Sequence, residues 1–256
     1  MMVLWLEILV LSFFISLPFL YDLSRTFRYY FRLSIFFTLA TLTSLLAVFH
    51  YNFRDRLITY FGQQISDLLS IEWHLYGEQN LSINCRKIIL INGQNPIDAL
   101  GLLQLIRHQG SELDIIIENN YNNLWPFSFL PWLLSILLNP VNFINENLSL
   151  PHFSSTNTKV NIILTSASSY EGTVKFALQN SLPIQPIVFS KYYFLNKDKK
   201  LFEAGRVIIS VMPLFNTKSL SPKNILKHSL ELSSKMSAEF DCISKITEIS
   251  DYQTPL

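Results

Sequence analysis

Apolar positions are distributed along this chain in three patterns, and each pattern predicts a different element. Residues 1 to 20 are a nearly unbroken apolar run, interrupted by Glu7 and closing near Pro18. That is long enough to match a hydrocarbon core of ~30 Å. Tyr21 to Arg32 is polar, and Leu33 to Phe49 is a second apolar run rich in Leu, Phe, Thr and Ala. Together they predict a transmembrane helical hairpin. A cleaved leader would want a basic start, a shorter apolar stretch and a small-residue cleavage site, so the hairpin reads as a retained anchor. Arg25, Arg28 and Arg32 precede the second run while Arg54 and Arg56 follow it, so charge assigns no orientation.

The second pattern is amphipathic. Asp55 to Leu69 predicts a helix of that kind, followed by Ile71-Glu72-Trp73-His74-Leu75, which alternates like a half-buried strand, and by a turn at Gly77 to Leu81. The third pattern is the short continuous apolar run of a strand covered on both faces, seen at Lys87 to Asn92. Asn95 as cap with Pro96 at the first position starts a helix that runs to about Gln109, where Gly110 ends it, and Leu113 to Ile117 predicts the next parallel strand. Leu124 to Phe143 is apolar but carries Pro126, Pro131 and Pro140, which predicts a kinked helix buried in the core or dipping into one leaflet. Further strands are expected at 142–145, Val160 to Leu164, within Leu182 to Phe189, and at Val207 to Val211, with a polar loop at Ser154 to Lys159 and a helix at Thr173 to Asn180. A C-terminal helix is expected from Ser221 and Pro222, with an apolar stripe through Ile225, Leu226, Leu230, Met236, Phe240 and Ile243. The predicted architecture is therefore α/β: a mostly parallel sheet flanked by helices. It divides the chain into an anchor at 1–56, an α/β domain at 57–246 and a C-terminal tail at 247–256.

Composition sharpens this picture. Apolar residues are 49% of the chain and charged residues 15%, well below the ~25% of ordinary soluble domains, which points to contact with lipid. A net charge of +1 gives no basic field for nucleic acid. Cys85 and Cys242 match no zinc or redox spacing, and no metal or cofactor is implied.

The candidate chemistry lies in Ile88-Ile89-Leu90-Ile91-Asn92-Gly93-Gln94-Asn95-Pro96-Ile97-Asp98, a buried strand, a polar elbow and a helix start. Later, Gly172-Thr173-Val174-Lys175-Phe176-Ala177-Leu178 leads without a gap into Leu182-Pro183-Ile184-Gln185-Pro186-Ile187-Val188. Gly77 to Leu81 and Gly205-Arg206-Val207 to Pro213 flank these stretches. In order and spacing, from about Ser16 to Phe240, they resemble the lysophosphatidic acid (1-acyl-sn-glycerol-3-phosphate) acyltransferases. The resemblance implies a membrane-bound enzyme of phospholipid biosynthesis, in the endoplasmic reticulum, with lysophospholipid as acceptor and acyl-CoA as co-substrate. In that family a His five residues before an Asp takes the proton of the glycerol hydroxyl, and the Asp orients the His. Here Asn92 and Asp98 keep their places and Gly93 stands where the His belongs, so Asp98 is the remnant of the catalytic pair. Losing a positioned general base forfeits about 10²- to 10⁴-fold in rate.

Three further positions depart from the family. Thr165-Ser166-Ala167-Ser168-Ser169 stands where its Glu-Gly-Thr-Arg turn should follow a strand, Glu146 closes Phe143-Ile144-Asn145-Glu146 where an Arg is expected, and Glu118 replaces a basic position. A carboxylate repels the phosphate that a guanidinium would hold. Two decoys carry less weight: His50 has the right spacing to Asp55 but follows a membrane-length run, and His108 is six residues from Asp114. Glu171-Gly172-Thr173 mimics the missing turn but falls too late in the chain. Three functions remain open at this point. One is acyl transfer by a rearranged or reduced mechanism, the second is a non-catalytic relative that binds lipid or regulates a protein partner, and the third is a purely structural membrane protein.

Overall fold

Strand β2 (Ile88–Asn92) sends alternate side chains to opposite faces, and each face meets its own core. Ile88 and Leu90 pack with residues of α5 (Tyr170–Gln179) and α6 (Ile225–Gln253), whereas Ile89 and Ile91 pack with residues of α2 (Arg25–Phe49), α3 (Arg54–Leu68) and α4 (Asp98–Gln109). All four are wholly buried. The continuous apolar run is thus the central layer of a helix–sheet–helix sandwich. The computed structural model describes residues 2–49, 54–81, 87–93, 95, 97–109, 113–118, 142–144, 160–165, 170–217 and 224–253.

Among the described residues, the sheet also contains β1 (Ile71–Tyr76), β3 (Leu113–Glu118), β4 (Asn142–Ile144), β5 (Val160–Thr165), β6 (Ile184–Phe189) and β9 (Gly205–Val211), in the order β1-β9-β6-β2-β5-β3-β4. Neighbours run parallel except β6 and β9, so β1 and β9 point against the other five. The crossover helices α4 and α5 follow from that parallel pairing, which no tight turn can connect. A two-stranded ribbon, β7 (Leu195–Asn196) with β8 (Leu201–Phe202), stands apart from the sheet and packs on α2. At the end of β1, Gly77 takes the left-handed φ of 73° that starts the Glu78–Asn80 turn. A β-carbon there would press on the Val211 carbonyl oxygen, which the Asn80 amide holds at 2.8 Å.

The expected hairpin is present as α1 (Met2–Leu23) and α2, but the polar stretch between its apolar runs is almost entirely helical. Only Ser24 separates the helices, with its Oγ accepting the Phe27 N–H at 3.2 Å as an N-cap. Arg28 closes the elbow by donating to the Tyr21 and Asp22 carbonyls at the end of α1. The transmembrane part of that expectation is not borne out among the described residues, where no helix is long and apolar enough to cross a membrane. In α2 the physical reason is visible, because Arg25, Arg28 and Arg32 sit within its first turns and Tyr29, Leu33, Phe36 and Ala40 are spent on the protein core.

Helix α6 runs to Gln253, into the stretch expected as a C-terminal tail from residue 247, and Thr247 is wholly buried, donating to the Ile243 carbonyl at 2.9 Å. The proline-rich stretch 124–141, the loop 154–159, Ser221, Pro222 and Cys85 lie outside the described residues. Cys242 is a free, exposed cysteine.

Candidate active site

The turn between β2 and α4 stands at the carboxyl ends of the parallel strands, where open α/β sheets place their ligands. Register fixes its surroundings: Asn92 lies opposite Thr165 at the end of β5, Ile117 lies opposite Leu164, and Glu118 pairs with Ile144. Gly93, Thr165 and Glu118 therefore share one sheet edge. Residues 145, 146 and 166–169 lie outside the described residues, so Glu146 and Ser166 to Ser169 are not placed.

Asn92 ends the strand by replacing a ladder rung with its side chain. Its Oδ1 accepts the Phe189 N–H at 2.7 Å and its Nδ2 donates to the Phe189 carbonyl at 3.0 Å, just beyond the last backbone pair, Ile91 with Ile187. The Phe189 ring, thus fixed, lies 6.3 Å from the Trp73 ring. Gly101 of α4 lets the helix settle on both: the two rings stand 2.8 and 2.9 Å from where a β-carbon would be.

The start of α4 forms as the sequence predicts from Asn95. Its Oδ1 accepts the Ile97 N–H at 3.0 Å, and Asp98 reaches back to accept the Asn95 N–H on Oδ2 at 2.9 Å, the reciprocal pairing of a capping box. The second oxygen of Asp98 accepts the Tyr192 hydroxyl at 2.6 Å. Asp98 is 3% exposed and Tyr192 5% exposed. Gly93 contributes only backbone, its N–H donating to the Ile91 carbonyl at 3.0 Å. Chemically the described part of the turn offers a buried, hydrogen-bonded carboxylate and a phenol, and position 93 supplies no proton acceptor.

The remaining candidates do not converge here. His50 lies outside the described residues, and His108 belongs to the last turn of α4, while Asp114 begins β3 beside Asn161. Glu171, Gly172 and Thr173 are in the first turn of α5, whose Thr173 is buried, so this sequence is helix rather than phosphate loop. Next to them the Tyr170 phenol has its pKa pushed up to about 12 by burial. Tyr192 escaped sequence reasoning because it is 94 residues from Asp98 and lies in no periodic segment. The aromatic run Tyr192-Tyr193-Phe194 after a core strand was its one visible signal. Among the described residues no cluster of His, Cys, Asp or Glu could hold a metal ion.

With this geometry in place, comparison with solved structures finds a likeness of fold. The fold resembles that of a lysophosphatidic acid acyltransferase. That protein is PlsC, the 1-acyl-sn-glycerophosphate acyltransferase of Thermotoga maritima, matched at a TM-score of 0.51 over 83% of this chain and 97% of the other, with 17% identity. At that identity the likeness speaks for the fold, a mixed α/β sheet flanked by helices. No protein-family model matches the chain, and no curated protein does.

Proposed function

We propose that this chain is a membrane-attached relative of the glycerolipid acyltransferases that binds lysophospholipid and acyl-CoA at the carboxyl edge of its sheet, with acyl transfer strongly reduced or lost. The observation that carries the reading is Gly93, placed on that edge directly after Asn92 where the resembling family has its general base. An alcohol is a poor nucleophile until a base takes its proton. The acyltransferase-like fold supports the lipid class of ligand, and what then remains for the chain is lipid binding or regulation of a protein partner.

Attachment to the membrane is proposed through the hairpin. Leu11, Ile15, Phe19 and Leu23 recur every fourth residue of α1, so they form one stripe, and they are between 58% and 88% exposed. Such a stripe gives α1 a contiguous apolar surface that lipid can cover.

The deciding experiment is transfer of an acyl group from acyl-CoA to lysophosphatidic acid by the purified protein in nanodiscs, beside an active acyltransferase. The expected rate is lower by about 10²-fold or more, the usual cost of a missing base. Turnover within about tenfold of the active enzyme would overturn the reading.

A further inference from the structure

Four consecutive residues that leave β6 are each tied to a different element. Phe189 is held by Asn92 of β2, and the Ser190 Oγ accepts the Ile208 N–H of β9 at 3.0 Å. The Lys191 N–H donates to Ser244 Oγ of α6 at 3.0 Å, and the Tyr192 hydroxyl donates to Asp98 of α4 at 2.6 Å. A segment fixed at every residue has little freedom to turn, so the fold itself delivers the phenol to the carboxylate. The distance is that of an O–H to a charged oxygen, the stronger kind of hydrogen bond.

We infer that Tyr192 stands in for the missing imidazole as the partner of Asp98, so that Asp98 is a structural clamp on segment 189–192 and the turn stays closed to a base even when one is supplied. This rests on the functional reading above, in which the turn corresponds to an acyltransferase site. Burial carries the argument. At 3% and 5% exposure Asp98 and Tyr192 are closed to solvent, and the two oxygens of Asp98 are engaged by the Tyr192 hydroxyl and the Asn95 N–H. Displacing the phenol would break a 2.6 Å hydrogen bond between two buried groups, which is disfavoured. Asp98 also remains bound to the Asn95 N–H, so it cannot swing toward the new base without opening the start of α4.

The test is an NMR titration of the introduced imidazole in Gly93→His and in Gly93→His/Tyr192→Phe, with thermal melts to establish that both fold. In the single variant the new imidazole is expected to protonate as an ordinary solvated one. In the double variant, with Asp98 released, it is expected to bind its proton about tenfold more tightly, because a carboxylate within reach favours the charged ring. Tighter proton binding already in the single variant, or no difference between the two, overturns the inference. If the double variant does not fold, Gly93→His/Asp98→Asn replaces it: an unmoved titration relative to Gly93→His supports the clamp, and a weakened one overturns it. Acyl transfer by the unmodified protein would defeat the functional reading without touching this titration, so the two failures are distinguishable.

Discussion

Removing the Asn92 amide would take away the two hydrogen bonds it makes with the Phe189 N–H and carbonyl at the end of β6. Asn92→Ala is therefore expected to lower the unfolding free energy by about 1–3 kcal/mol, two hydrogen bonds at about 0.5–1.5 kcal/mol each, read from urea denaturation with an unchanged slope. A residue read from the sequence as the relic of a catalytic motif has a structural task, and so has Asp98. A different balance governs Glu72, which lies opposite Arg206 across β1 and β9 and accepts from its guanidinium at 2.9 and 3.0 Å. That bond, with help from His74, holds the Glu72 carboxyl below the usual carboxylate range. Its contribution is present above the unfolded value and is lost as pH falls through the lowered folded one. Since the side chain is 62% exposed, the difference in stability between the unmodified protein and Glu72→Gln should be about 1 kcal/mol or less at pH 7 and vanish in acid. A gap that persists undiminished at low pH would refute this account.

At the scale of the element, the strands were legible because a buried parallel strand has a simple signature, four or five apolar residues between polar turns. β2, β5 and β6 fall within a residue or two of their expected positions, and the Asn95 cap forms as its sequence requires. In the second hairpin helix, a run as continuously apolar as Leu33 to Phe49 conceals which face is spent on protein. In the fold Leu33, Phe36 and Ala40 are buried while Leu42, Leu45 and Leu46 are exposed. Phe36, 1% exposed, is the sharpest probe of that packing. Phe36→Ala should cost about 3–5 kcal/mol in the unfolding of the α/β body, as large core truncations do. A helix standing in lipid away from the core would leave that transition unmoved. Long-range pairs such as Asp98 with Tyr192 were illegible altogether, since periodicity describes only neighbours along the chain.

For the whole molecule, the proposed attachment to lipid would run through α1, since the sheet is covered on both faces. Phe19 and Leu23 are 71% and 88% exposed, so they contribute little to folding, yet they lie on one stripe with Leu11 and Ile15. Burying a side chain of this size in an apolar phase is favourable by about 1.5–3 kcal/mol. Losing two such contacts, and placing carboxylates in the interface instead, should weaken vesicle binding by about 100-fold or more, since each 1.4 kcal/mol is tenfold. Because neither residue is buried in the protein, Phe19→Asp/Leu23→Asp should melt at the same temperature as the unmodified chain. Co-flotation with phosphatidylcholine vesicles measures the first quantity, and a thermal scan the second. Vesicle binding that survives both substitutions at full strength would mean that the stripe is not the lipid contact, and the attachment would have to be sought elsewhere on the chain.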